Sequence, residues 1–242
     1  MFRRLLSRLE DAERRWRRGF GRDITDPRER RRSTWHYNWL DHAHLRRVWT
    51  NQVEIAPGVW RSNQPTFRRL RELRDRHGVH TILNLRGEDV FAHYLFLREE
   101  CAALGLRLVD VKLNATTAPT RERLVELLEA FDRVERPFLM HCKSGADRTG
   151  LAAALWMMLK EGQSLEQARD QLHRRHWHYR NGPAGVIDEI LDLYEARNTR
   201  APVAIDTWIR TEYTKEAVKA AFEARRAAAR GGRSRARTAP KA

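Results

Sequence analysis

Between residues 51 and 198, short apolar runs and longer amphipathic stretches alternate as strands and helices do. GVWR (58–61) predicts a short strand, followed by the turn SNQP and a helix from about Phe67 to His77 that Gly78 closes. The compact run TILNL (81–85) reads as a buried strand, with Arg-Gly-Glu-Asp as the loop after it. A helix over about 92–104, closed by Gly105, leads to the strand LRLVDVKL (106–113) and the loop NATTAPT. Another helix starts near Thr120 and ends before Arg136-Pro137. PFLMHC is the next strand, 148–161 an apolar helix, and two further helices lie near 164–178 and 186–197. This alternation predicts an α/β fold with a central, mainly parallel sheet flanked by helices on both faces.

The flanks differ in character. Phe2, Leu5, Leu6, Leu9, Ala12 and Trp16 recur at helical spacing among arginines, a basic amphipathic helix that fits either packing on the domain or an anionic membrane surface. Residues 21–34 read as a linker and 35–49 as another helix whose aromatics anchor packing. The expected organisation is a basic helical extension (1–49), a catalytic domain (50–198), a helical extension (199–226) and a disordered basic tail (227–242).

Composition narrows the function classes. With 242 residues, 41% of them hydrophobic, the chain can build one core with tails to spare. The net charge of +15 crowds into residues 1–32 and 225–241, ends that attract polyanions or anionic lipid but specify no nucleic-acid sequence. The longest apolar run, 151–159, is too short to span a bilayer, and the N-terminus lacks the apolar core of a secretory signal. A cytoplasmic protein is expected, at most peripheral to the inner face of the membrane. Two cysteines build no disulfide framework; Cys101 reads as a core hydrophobe, which leaves Cys142.

Cys142 opens the sequence Cys-Lys-Ser-Gly-Ala-Asp-Arg-Thr-Gly, set between an apolar strand and an apolar helix. Ligands in open α/β sheets bind beyond the carboxyl ends of strands, where this loop falls. The backbone N–H groups of Lys143, Ser144, Gly145 and Ala146 can form an anion nest, and the helix that follows favours a bound phosphate. The same field lowers a thiol from about 8.5 to roughly 3.5–7.5, so Cys142 is expected as a thiolate nucleophile. Arg148 offers a planar fork for two phosphate oxygens, and the Thr149 hydroxyl can donate to sulfur as it leaves. His141 can bond the backbone near Cys142, and Gly150 permits close helix packing.

HCKSGADRTG resembles the His-Cys-x5-Arg-Thr signature of the cysteine-dependent protein tyrosine and dual-specificity phosphatases. WRSNQPT, TILNLRGE and the region 106–150 resemble bacterial members of that superfamily, and the similarity covers roughly residues 50–195. The resemblance implies the phosphatase fold, a phosphocysteine intermediate and no metal or other cofactor. It implies a phosphorylated protein, phospholipid or inositol phosphate as substrate without choosing among them.

A leaving alkoxide needs a general acid. In such phosphatases an Asp on a separate loop supplies it, but here the matching loop NATTAPT holds no acid. Asp110 lies at nearly the right distance yet within the predicted strand. Asp147 matches the position of the acid in myotubularin-type lipid phosphatases, and it competes with a capping role. Asp89 and Glu88 are weaker contenders. Lys143 adds charge to the loop, Arg86 is placed to orient loops or substrate, and Arg61 with the SNQP turn supports the fold. His173, His176, Trp177 and His178 read as packing plus surface, with no metal spacing. A phosphatase is the leading reading. A non-catalytic phosphate-binding module and a sulfur-transfer or redox protein are the rivals, although Thr149 and the loop spacing favour phosphate chemistry.

Overall fold

The computed structural model describes residues 21–41 and 43–238. The predicted amphipathic helix over 2–20 therefore lies outside the described residues. The described residues form two compact units, one within residues 21–110 together with 136–144 and one of 111–135 with 145–238.

The first unit begins with α1 (Pro27–Trp35), in the stretch expected as a linker. Asp26 caps it by accepting from the N–H groups of Arg28 and Glu29, and Pro27 sits in the first turn where its missing N–H costs nothing. In place of one helix over 35–49 there is a π-helical turn (His36–Leu40) and a 3-10 turn (Leu45–Arg47). Arg46 explains the break, because its guanidinium binds both the Asp41 carbonyl at 2.6 Å and the Asp41 carboxylate at 2.7 Å.

Five strands follow: β1 (Val53–Ala56), β2 (Val59–Ser62), β3 (Thr81–Asn84), β4 (Arg107–Asp110) and β5 (Phe138–His141). Their order is β1-β2-β5-β3-β4, with only the unforeseen β1 antiparallel to its neighbour. The last strand in sequence is thus the middle one in space. Register aligns Ser62, His141, Asn84 and Asp110 in a row across the carboxyl ends. The helices α2 (Phe67–His77) and α3 (Ala92–Leu104) supply Leu70, Leu73, Leu97 and Cys101 to a core with Ile82 and Leu139. Leu83, Phe138 and Met140 alternate to the opposite face and are equally buried, so both faces are covered. Burial first, then Glu100 and Asp110, push the Cys101 thiol up to about 12, which makes it an inert core residue.

The second unit holds α4 (Arg121–Arg133), capped by Thr120, and α5 (Asp147–Lys160). Residues 149–157 of α5 are all buried, as an apolar helix without a polar face must be. The single helix expected over 164–178 is instead α6 (Leu165–Ala168) followed by 3-10 turns at Arg169–Leu172 and Arg174–His176. His173 breaks the run by adopting extended backbone and accepting from the Arg175 N–H. Next come α7 (Asp188–Arg200), α8 (Ile205–Thr211) and α9 (Lys215–Thr238). Residues 227–238, expected as disordered, continue α9; the alanines and arginines there have high helix propensity, which outweighs the low hydropathy.

A Cβ on Gly150 would meet Leu172 Cδ2 at 2.6 Å and the Gln171 carbonyl oxygen at 2.8 Å. A backbone carbonyl cannot swing away as a side chain can. Gly150→Ala is therefore expected to destabilise the protein by about 1–3 kcal/mol in chemical denaturation, where a helical Gly→Ala change would ordinarily stabilise.

Candidate active site

In the first unit, Cys142 directly follows β5 at the carboxyl end of the middle strand and is buried, at 1% exposure. The His141 ring nitrogen Nδ1 lies 3.2 Å from the Cys142 carbonyl oxygen, the backbone contact expected of it. Two main-chain carbonyls of the loop are tied down. Lys143 O accepts from the Gln64 N–H at 3.3 Å, and Ser144 O accepts from Asn51 Nδ2 at 3.1 Å. The SNQP turn, read as a fold support, therefore also holds the loop.

Asp41 organises the charges around Lys143. Its carboxylate receives Arg86 at 2.8 and 3.0 Å and Arg46 at 2.7 Å, with Lys143 Nζ at 3.4 Å. Burial works to raise the Asp41 pKa, but Arg86, Arg46 and Lys143 together hold it far below the usual carboxylate range. Arg86 also donates to Gln64 Oε1, and Gln64 Nε2 donates to the His93 carbonyl at 2.7 Å. Burial and then Arg86 press His93 down to about 3, so its ring is neutral. Burial lowers the Lys143 pKa, partly offset by Asp41. Arg86 is thus linked to Lys143 of the loop through Asp41, an aspartate far upstream.

Asp110 ends β4 and is held by Asn84 Nδ2 at 2.6 Å and the Tyr94 hydroxyl at 2.9 Å. Burial raises its carboxyl pKa despite those two donors. The bonds fit the strand-residue reading. Asp89 accepts from the Val90 N–H at 2.7 Å and lies 3.6 Å from His93, while Glu88 is exposed.

In the second unit, Gly145 takes a positive φ of 73°, the conformation that lets the loop turn towards α5 without a Cβ penalty. Ala146 is the N-cap of α5 and its carbonyl accepts from the Gly150 N–H at 2.9 Å. Asp147, Arg148 and Thr149 form the first turn. Arg148 Nε and Thr149 Oγ1 are buried without a hydrogen-bond partner among the described residues. Such groups are rare because each costs roughly 1–3 kcal/mol, and two adjacent donors at a helix N-terminus suit an anion.

Asp147 is bound by a histidine that the sequence did not mark for chemistry. His178 Nδ1 lies 2.8 Å from Asp147 Oδ1, and His178 Nε2 lies 2.8 Å from Asp188 Oδ2. The residue is 1% exposed, so the reading of His178 as packing plus surface is corrected: it is a buried link between two carboxylates. Burial disfavours the cation, yet hydrogen bonds and charge from Asp147 and Asp188 raise its pKa to about 9. No group of three or more His, Cys, Asp or Glu among the described residues could hold a metal ion.

Residues 40–182 match the family PTP-NADK, "DSP-PTPase phosphatase fused to NAD+ Kinase". The chain belongs to this family. Its match takes in Asp41, Arg86, the whole loop from Cys142 to Gly150 and His178, whereas Asp188 lies beyond it. The chain is also 30% identical over 129 residues to the dual specificity protein phosphatase TpbA of Pseudomonas aeruginosa (strain UCBPP-PA14), covering 51% of this chain and 54% of that protein. The similarity thus spans about half the length of the curated relative. Among solved structures, P. aeruginosa TpbA is similar at 26% identity and a TM-score of 0.45, over 61% of this chain and 91% of that one. A mutant form of Tk-PTP is similar at 26% identity and a TM-score of 0.48, over 62% of this chain and 97% of that one. No described helix is long and apolar enough to cross a membrane.

Proposed function

We propose that this protein is a cysteine-dependent phosphatase that hydrolyses phosphate monoesters through a phosphocysteine intermediate, acting on phosphotyrosine or on both phosphotyrosine and phosphoserine/threonine. One observation carries the reading. A buried cysteine at the end of the middle strand leads into a helix whose first turn holds two buried donors, on Arg148 and Thr149, without partners among the described residues. Family membership and the likeness to a dual specificity phosphatase support it. The Cys142 sulfur attacks phosphorus while the ester oxygen departs with a proton. Arg148 and the loop N–H groups of Lys143, Ser144, Gly145 and Ala146 stabilise the charge on the transferring phosphoryl group. Water then attacks phosphorus, and Thr149 donates to the departing sulfur.

Asp147 supplies the proton. In this first turn it is the carboxyl group, and NATTAPT contributes none. Asp147→Asn is expected to lower kcat on an alkyl phosphate by about a hundredfold or more, and to change turnover of para-nitrophenyl phosphate much less, because nitrophenolate leaves without help. Equal, small losses on both would remove Asp147 from the role.

A second reading, a phosphoinositide or phospholipid substrate at an anionic membrane surface, is favoured by the cation excess around Asp41, where Arg46, Arg86 and Lys143 face one carboxylate. Release from phosphopeptides against phosphoinositide vesicles decides between them. Loss of vesicle binding on deleting residues 1–32 would support the second. Tight binding without release from any substrate would favour a phosphate-binding module.

A further inference from the structure

The link from Asp147 to His178 to Asp188 is unlike an ordinary buried histidine contact. Both ring nitrogens meet carboxyl oxygens at 2.8 Å; with Asp188 ionised and the Asp147 proton on Oδ2, both facing oxygens accept, so both nitrogens carry protons. Asp188 is 5% exposed and opens α7, while Asp147 opens α5, so the ring joins the first residues of two helices. A carboxylate buried against α7 fixes the ring plane, and the ring fixes Asp147 Oδ1.

We propose that His178, anchored by Asp188, is the positioning residue for the proton-donating carboxyl of Asp147. The inference rests on the acid role of Asp147 given above. As the ester P–O bond breaks and the S–P bond forms, the leaving oxygen takes the proton from Asp147 Oδ2. The carboxylate so formed keeps its charged hydrogen bond from His178 Nδ1–H, which holds it in place for the second half. There, water oxygen bonds phosphorus, the S–P bond breaks, and the water proton returns to Asp147. His178 never touches substrate; its ring donates to Asp147 through Nδ1–H throughout. Arrangements in which a carboxylate orients a histidine that in turn acts on a catalytic group are a recurring solution to holding one reactive atom still.

The test is a double-mutant cycle on the full chain, read with an alkyl phosphate and with para-nitrophenyl phosphate. His178→Ala is expected to lower kcat on the alkyl phosphate by roughly tenfold and on para-nitrophenyl phosphate by less than about threefold. His178→Asn, whose amide nitrogen can stand where Nδ1 stands, should recover part of that loss. In the Asp147→Asn background His178→Ala should cost nothing further. Asp188→Asn, which keeps the shape of the anchor, provides the same readout if His178→Ala does not fold. Equal losses on both substrates, or losses that multiply in the Asp147→Asn background, would overturn the inference and leave His178 a structural link. If Asp147→Asn itself spares the alkyl phosphate, the acid role fails first and this inference falls with it.

Discussion

Cys142→Ser abolishes phosphate release from para-nitrophenyl phosphate, a loss of at least about a thousandfold, while phosphate or vanadate still binds. The hydroxyl that replaces the thiol has the same shape but is not ionised near neutral pH, so the variant retains the loop and loses the nucleophile. Cys142 is buried at the end of β5 and its carbonyl contacts His141, so a near-isosteric change leaves the surroundings intact. Unchanged melting temperature together with lost turnover is the expected pair of results. A variant that releases phosphate within about tenfold of wild type would move the nucleophile elsewhere.

Arg148→Lys is expected to cost roughly a hundredfold or more in kcat/KM despite conserving charge. Arg148 lies in the first turn of α5, with Nε buried and lacking a partner among the described residues. A guanidinium can present two parallel N–H donors to the equatorial oxygens of a transferring phosphoryl group, and an ammonium cannot. Removing Nε also removes a buried donor that has no partner among the described residues, so folding stability should hold or rise slightly. A variant that loses stability but keeps kcat/KM would make Arg148 a structural residue. Steady-state kinetics beside a denaturation curve separate the two.

Much of the fold was legible because its signals are local. TILN and PFLM are short apolar runs, buried on both sides of the sheet, and Gly78 and Gly105 end their helices with left-handed caps. The strand, the loop and the helix around Cys142 adjoin one another in sequence, so spacing alone placed Cys142 beyond a strand and Arg148 in a first helical turn. The linker over 21–34 failed for a readable reason: Asp26-Pro27 is a helix start, and the arginines after it masked that signal. The tail beyond residue 227 was not legible as helix because its low hydropathy hides the helix propensity of its alanines and arginines.

The partners of the loop were not legible, because they are made by the fold. Asp41 meets Arg86 across 45 positions and His178 meets Asp147 across 31. Spacing carries no information about such pairs, and in a chain with 47 lysines and arginines nearly every carboxylate has some cation near it in sequence. His178 was masked further by its neighbours, since Trp177 beside it is exposed while His178 is buried. A signal did exist in one case. An Asp within the phosphate loop with no acid on the neighbouring loop asks what would hold it, and a histidine is the natural answer.

The most direct test of the central claim is trapping of the covalent intermediate. Wild-type protein is mixed with para-nitrophenyl phosphate, quenched in acid within the first turnovers, and digested for mass spectrometry. The account predicts one added phosphoryl group on the peptide that carries Cys142, absent from Cys142→Ser and absent from the peptide that carries Cys101. Turnover with no phosphoryl group on Cys142, or with one on another residue, would contradict it.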